Sequence, residues 1–225
     1  MRQLLQVQGI SVSFDGFKAI NNLSFSIGDI DLRAIIGPNG AGKTTFMDIV
    51  TGKTRPDQGE VLWGNKNISL LKKTEAEIAE LGIGRKFQKP TVFQNQTVQD
   101  NFLMALKKNR SALATIMYKL TLDDMDRIME IAKTVNLSAH LQRLSGELSH
   151  GQKQWLEIGM LLLQDPKLLL IDEPAAGMTL QERDDTAGLL RTLSSQRAVV
   201  VVEHDMKFIR NLDCRVTVLH EGGVL

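Results

Sequence analysis

Residues Gly37-Pro38-Asn39-Gly40-Ala41-Gly42-Lys43-Thr44 put glycines, a lysine and a hydroxyl into one short run. The run follows an apolar stretch, Arg33 to Ile36, and precedes a helical pattern from Thr45 to Val50, the context in which such a run cradles phosphate. Glycines let backbone N–H groups converge on phosphate oxygens, and the helix opened by Thr45 adds partial positive charge at its N-terminus. Lys43 is positioned to bridge the β and γ phosphates, and the Thr44 hydroxyl to bind Mg²⁺. Gly37 to Thr45 therefore predict a site for a nucleoside triphosphate, ATP or GTP, with Mg²⁺.

A second set of groups fits hydrolysis of that ligand. Leu168 to Ile171 form an apolar run that ends in Asp172 and Glu173, and α/β sheets bind ligands at the carboxyl ends of their strands. Asp172 is the expected metal-side carboxylate, acting through a water, and Glu173 the general base for the attacking water. His204 follows another apolar run, Ala198 to Val202, and its imidazole is expected to contact the γ-phosphate and hold the water in line. Gln88 ends a short apolar segment and offers an amide oxygen to Mg²⁺ or to the water. Phe14 is a candidate to stack on the base. Each has a plainer reading: acids after a strand often cap a helix, a lone glutamine is usually surface, and an aromatic in an alternating strand is usually core. His140, His150 and His220 have no comparable sequence setting. Asp205 reads as a helix cap.

The elements that must carry these groups are of two kinds. The first ~36 residues alternate apolar and polar positions, as in Val7, Ile10, Val12 and Phe14 and then Leu23, Phe25 and Ile27, which predicts an antiparallel β layer. Arg33 to Ile36, Lys167 to Ile171 and Ala198 to Val202 are continuous buried-type strands, each followed by a turn and a helical pattern, as in a mainly parallel sheet. The predicted class is α/β. Between about 67 and 145 the pattern turns helical, with capping-box spacing at Thr74 and Glu77 and apolar stripes in Val98 to Leu106 and Met125 to Val135. One nucleotide-binding domain is expected, with a core from about 1–66 and 146–225 and a helical subdomain at about 67–145 that includes Gln88.

Composition narrows the partners. The chain has 225 residues, 43% hydrophobic, enough for a full core without disulfides. Lysine plus arginine, 27, nearly balance aspartate plus glutamate, 26, so no net field favours nucleic acid. Cys214 is the single cysteine and reads as a small buried hydrophobe. No apolar run approaches the ~20 residues that span a bilayer, and no N-terminal signal order is seen, so a cytoplasmic subunit is expected.

Leu148-Ser149-His150-Gly151-Gln152, upstream of the Asp172 strand, together with the phosphate cradle resembles the signature of ABC-type ATPases. Ser149 and Gln152 also have capping-box spacing at the start of an apolar helix. The resemblance covers essentially the whole chain and implies the ABC-ATPase variant of the P-loop fold, with ATP and Mg²⁺ as cofactors. It makes Phe14 the base-stacking residue, Gln88 the Q-loop, Ser149, Gly151 and Gln152 signature contacts to ATP, and His204 the switch. It further implies a head-to-tail dimer with a second ATP-binding subunit, like or unlike, that sandwiches two ATP. The resemblance also implies transmembrane permease subunits that hold this dimer at the inner face of the membrane, and an external binding protein as an indirect partner.

Arg85 to Phe93, His150 to Met160, Ala175 to Thr179 and Val216 to Gly222 resemble the ATP-binding subunits of bacterial urea importers, with branched-chain amino-acid importers as the alternative. Lys86 and Trp155 tip that expectation toward urea. A soluble ABC mechanoenzyme is the alternative of another class, disfavoured because a fused second cassette and long coiled coils are missing. Two departures from the common pattern stand out: His150 where glycine is commonest, and Thr179 where the D-loop usually has aspartate, forming a further capping-box spacing with Glu182. The chain also stops at Leu225, short of an expected tail.

Overall fold

The computed structural model describes residues 3–86, 91–107 and 121–225. Gln88 lies outside the described residues. Strands β1 (Gln3–Phe14) and β2 (Phe17–Gly28) form a long hairpin, and β3 (Asp31–Ile36) leads into helix α1 (Lys43–Val50). Then come β4 (Gln58–Trp63), β5 (Ile68–Ser69), helix α2 (Glu75–Glu80) and β6 (Ile83–Lys86). Among the described residues, helices α3 (Val98–Ala105), α4 (Leu122–Thr134) and α5 (His150–Leu162) follow. The chain returns to sheet in β7 (Leu168–Asp172), crosses through α6 (Leu180–Ser194) to β8 (Ala198–Val202), and finishes with α7 (Met206–Leu212), β9 (Arg215–His220) and β10 (Gly223–Val224).

By their internal contacts these residues divide into two compact units, 1–88 with 166–176 and 183–225, and 89–165 with 177–182. The boundary runs through the first turn of α6. These bounds differ from the expected ones of about 67 and 145 for a reason visible in the pairing. β6 lies in the stretch read as helical, yet Ile83 to Lys86 pair in parallel with Leu168 to Ile171. Helix α5, expected within the core, belongs to the second unit.

In the first unit, the described strands form a four-stranded sheet ordered β2-β1-β4-β5 and a six-stranded sheet ordered β10-β9-β3-β8-β7-β6. The first is antiparallel, as the alternation of its strands predicts. In the second, β6, β7, β8, β3 and β9 run in parallel and only β10 opposes its neighbour. All five residues of β7 and of β8 are buried, which is why these strands read as unbroken apolar runs. The core joins Leu5, Ile10, Ile20, Leu23 and Ile27 of the hairpin to Phe46, Met47 and Val50 of α1 and to Leu168, Leu170, Val200 and Val202. Phe25 meets Phe46 edge to face with centroids 5.1 Å apart.

The second unit is helical. Val98 and Phe102 of α3, Ile128 and Ile131 of α4 and Leu156 and Ile158 of α5 are buried. A Cβ on Gly159 would come within 2.7 Å of the Phe102 ring, so this glycine lets α3 and α5 pack closely. Capping boxes start α2 at Thr74, α3 at Thr97, α4 at Thr121 and α5 at Ser149, each tying down N–H groups that a helix start leaves unpaired. No described helix is long and apolar enough to cross a membrane.

Candidate functional site

Parallel order brings the predicted residues of the first unit to one edge of the six-stranded sheet. Val202 is the common register point: it pairs with Ile35 on one side and Asp172 on the other. The glycine-rich loop therefore leaves β3, Asp172 ends β7, and His204 follows β8, all at neighbouring carboxyl ends.

The loop from Gly37 to Thr44 closes over its own lysine. Lys43 is buried and its Nζ donates to Gly37 O at 2.7 Å and Pro38 O at 2.9 Å. Gly42 caps α1 with φ +97°, and a Cβ there would lie 2.6 Å from Ala19 O, so both conformation and space demand glycine. The Thr44 side is exposed and Thr45 is half-buried. At the loop mouth a cavity of about 490 Å³ is lined by Phe17, Lys18, Pro38, Asn39, Gly40, Ala41, His220 and Glu221. Phe14 does not line it. It ends β1, exposed, directly opposite Phe17 in the hairpin register. His220 thus gains a setting that the sequence did not suggest.

Asp172 is buried. Burial, the largest influence, raises its pKa, the Arg85 guanidinium opposes that rise, and Glu173 adds to it. Arg85, on β6, pairs with Asp48 of α1 and lies 3.8 Å from Asp172. No motif singled out Arg85, because its role depends on a strand pairing that only the fold creates.

Glu173 sits at φ +46°, a region costly for a residue with a side chain. Its N–H donates to Val202 O at 2.9 Å, and its Oε1 lies 3.4 Å from His204 Nδ1. The two residues predicted to handle the attacking water are therefore neighbours. Glu203, buried at 1% exposure, secures the arrangement. One of its carboxylate oxygens accepts from Ala175 N at 2.9 Å; the other accepts from His204 N at 2.9 Å and Asp205 N at 3.2 Å. It ties the turn after Glu173 to the turn carrying His204. Its sequence signal was a single acid closing a wholly apolar strand. Asp205 is the expected cap, accepting from Lys207 N and Phe208 N.

In the second unit, Ser149 caps α5: its Oγ accepts from Gln152 N at 3.1 Å, and Gln152 Oε1 accepts from Ser149 N at 3.0 Å. Gln152 Nε2 lies 3.3 Å from His140 Nε2, and Gln154 Nε2 lies 3.2 Å from His150 Nε2. Ser149 Oγ also donates to Glu182 Oε1 at 2.6 Å. The expected box at Thr179 and Glu182 is present, with Glu182 Oε2 accepting from Thr179 N at 2.9 Å. The Ser149 hydroxyl, first, and then the Thr179 N–H lower the Glu182 pKa.

A profile of the family described as ABC transporter matches residues 20–176. The high-affinity branched-chain amino acid transport ATP-binding protein BraF of Pseudomonas aeruginosa is 33% identical over 233 residues, covering 100% of this chain and 91% of that protein. The probable branched-chain amino acid transport ATP-binding protein LivG of Methanocaldococcus jannaschii is 31% identical over 229 residues, covering 99% of this chain and 88% of that protein. Among solved structures, an ATP-binding cassette of an ABC transporter in its ADP conformation matches with a TM-score of 0.86 at 30% identity, covering 100% of this chain and 90% of the other. The expected α/β cassette fold is the fold found.

Proposed function

The chain belongs to the ABC transporter family, and from that premise we propose that it is the ATP-hydrolysing subunit of an importer, half of a head-to-tail dimer that drives separate permease subunits from the inner face of the membrane. As a member of that family it is an ATP-binding-cassette ATPase. The observation that carries the catalytic assignment is the Glu173 and His204 pair, 3.4 Å apart beside the strand that feeds the phosphate cradle.

Lys43 carries the charge for the β and γ phosphates, exchanging its two loop carbonyls for phosphate oxygens. Thr44 and Asp172 present hydroxyl and carboxylate oxygens, the ligands a small hard cation takes, so the residues fit Mg²⁺. When bound, that ion neutralises charge shared between the phosphates. Gln88 is assigned to the same ion or to the water. Glu173 takes a proton from the attacking water, and His204 holds Glu173 and the γ-phosphate in register. Phe14 keeps its assignment to the base, with Phe17 beside it at the mouth. Ser149, Gly151 and Gln152 serve the ATP of the other subunit.

For the cargo, the relatives support branched-chain amino acids over urea. The urea expectation rested on four resembling segments, and the two residues that tipped it from branched-chain amino acids, Lys86 and Trp155, are buried, at 2% and 7% exposure. Burial keeps both side chains from meeting cargo directly. An external binding protein is assigned as an indirect partner.

The test is steady-state Mg²⁺-ATP hydrolysis at rising protein concentration, then in membranes with the permease and its binding protein. Specific activity should rise with concentration, and leucine rather than urea should stimulate it. Activity flat in concentration would contradict the dimer. Stimulation by urea alone would reverse the cargo assignment.

A further inference from the structure

The signature segment already holds a carboxylate. Gly151 occupies the second position of α5 with ordinary helical backbone, so its lack of a side chain does not serve conformation. It serves space: a Cβ on Gly151 would lie 2.6 Å from Glu182 Cδ and 2.6 Å from Glu182 Oε1. The gap that this glycine leaves is filled by the Glu182 carboxylate. At the same point the Ser149 hydroxyl donates to Glu182 Oε1 at 2.6 Å, a short contact of the charge-assisted kind. The other oxygen, Oε2, accepts from Thr179 N at 2.9 Å and Thr179 Oγ1 at 3.0 Å. One carboxylate thus clamps the signature with one oxygen and the segment around Thr179 with the other.

A serine hydroxyl has one proton to give. The Ser149 oxygen accepts from Gln152 N, and its proton goes to Glu182. A phosphate that is to accept from Ser149 must take that proton from Glu182, and an anion arriving there also meets a like charge. We propose that Glu182 is an intramolecular competitor for the signature: it holds the Ser149 hydroxyl and the space over Gly151, and yields both when the γ-phosphate of a partner subunit's ATP arrives. This rests on the head-to-tail sandwich proposed above. Because Oε2 stays on Thr179, release of Oε1 passes signature occupancy directly to the Thr179 segment. The aspartate usual at that position is replaced here by a residue that caps Glu182.

The competition sets how much protein is needed for the ATP-bound dimer. The full chain carrying Glu173→Gln, chosen because loss of the general base is expected to leave ATP unhydrolysed, is compared with the same chain carrying Glu182→Gln in addition, by sedimentation in saturating Mg²⁺-ATP. Glutamine keeps the length and one acceptor for Thr179 N, so the α6 start is retained; matching thermal unfolding of the two proteins checks this. The expected result is dimerisation at a protein concentration lower by about fivefold or more, with that gain largely lost when Ser149→Ala is present in both proteins. An unchanged or higher concentration with Glu182→Gln overturns the competitor. A gain of equal size in the Ser149→Ala pair also overturns it, because the contested hydroxyl would then be irrelevant. If the Glu173→Gln parent itself forms no ATP-dependent dimer, the sandwich reading falls and the competitor falls with it.

Discussion

The strand-end site and the start of α5 hold their polar groups in different ways. At the strand ends, Asp172 and Glu203 are buried carboxylates, and Glu203 is saturated by backbone N–H groups from two turns. At the start of α5, Ser149 is exposed and its hydroxyl is held by a side chain. A buried carboxylate bonded to backbone moves only if the turns move, since an unpaired buried polar group is costly. An exposed hydroxyl exchanges one acceptor for another at little cost, because water satisfies either partner meanwhile. The first arrangement suits groups that must meet a reacting atom in fixed geometry, the second a contact that must form and break as subunits meet.

The sharpest way to break that contrast is Glu173→Gln. If fixed geometry at the strand ends delivers a base to the water, turnover should fall by ~10²–10⁴ while ATP binding, carried by Lys43 and the loop, stays near that of the parent. Single-turnover hydrolysis alongside equilibrium nucleotide binding measures both. Turnover close to the parent's would remove Glu173 from the chemistry and leave the strand-end geometry without its purpose.

How much of this was legible in the sequence depended on distance along the chain. The phosphate cradle and the Asp172-Glu173 pair are contiguous, and each follows a mainly apolar run, so type and context appear together. The capping boxes at Thr74, Ser149 and Thr179 are local too, and all form. The contacts that went unread join distant segments: Arg85 with Asp48, and Ser149 with Glu182. Nothing local to Ile83 to Lys86 announces a strand, since half of it is cationic and one position is glycine; the β7 edge imposes it. The Arg85 side chain and Lys86 are buried where charge ordinarily signals surface. That Phe17 lines the cavity at the cradle mouth while Phe14 does not could not be read locally, because it depends on where the end of the hairpin lies against the loop.

Glu203→Gln sharpens the comparison with an intermediate effect. An amide at this buried position faces N–H groups of His204, Asp205 and Ala175 with one acceptor in place of two, so at least one donor loses its partner. The two turns then relax relative to each other, and the 3.4 Å spacing of Glu173 and His204 is no longer enforced. Turnover should drop between about tenfold and a hundredfold, the size associated with displacements near 1 Å, with ATP affinity within about twofold of the parent. Equal losses in turnover and affinity would indicate general damage to the unit instead of misplacement of two side chains.

Gln152→Ala should have the smallest effect, and for the opposite reason. Its side chain accepts from Ser149 N and lies near His140, but the Ser149 Oγ cap on Gln152 N uses the backbone and survives the substitution. Only the reciprocal half of the box is lost, at a helix start where water reaches the freed N–H. Unfolding free energy should therefore fall by no more than about 1 kcal/mol, measured by denaturant titration of the purified chain. A loss above about 2 kcal/mol would mean that the start of α5 is a fixed structural joint like the Glu203 turn. The exchange of acceptors at Ser149 would then lose its physical basis, because a segment that cannot release one contact cheaply cannot trade Glu182 for a phosphate.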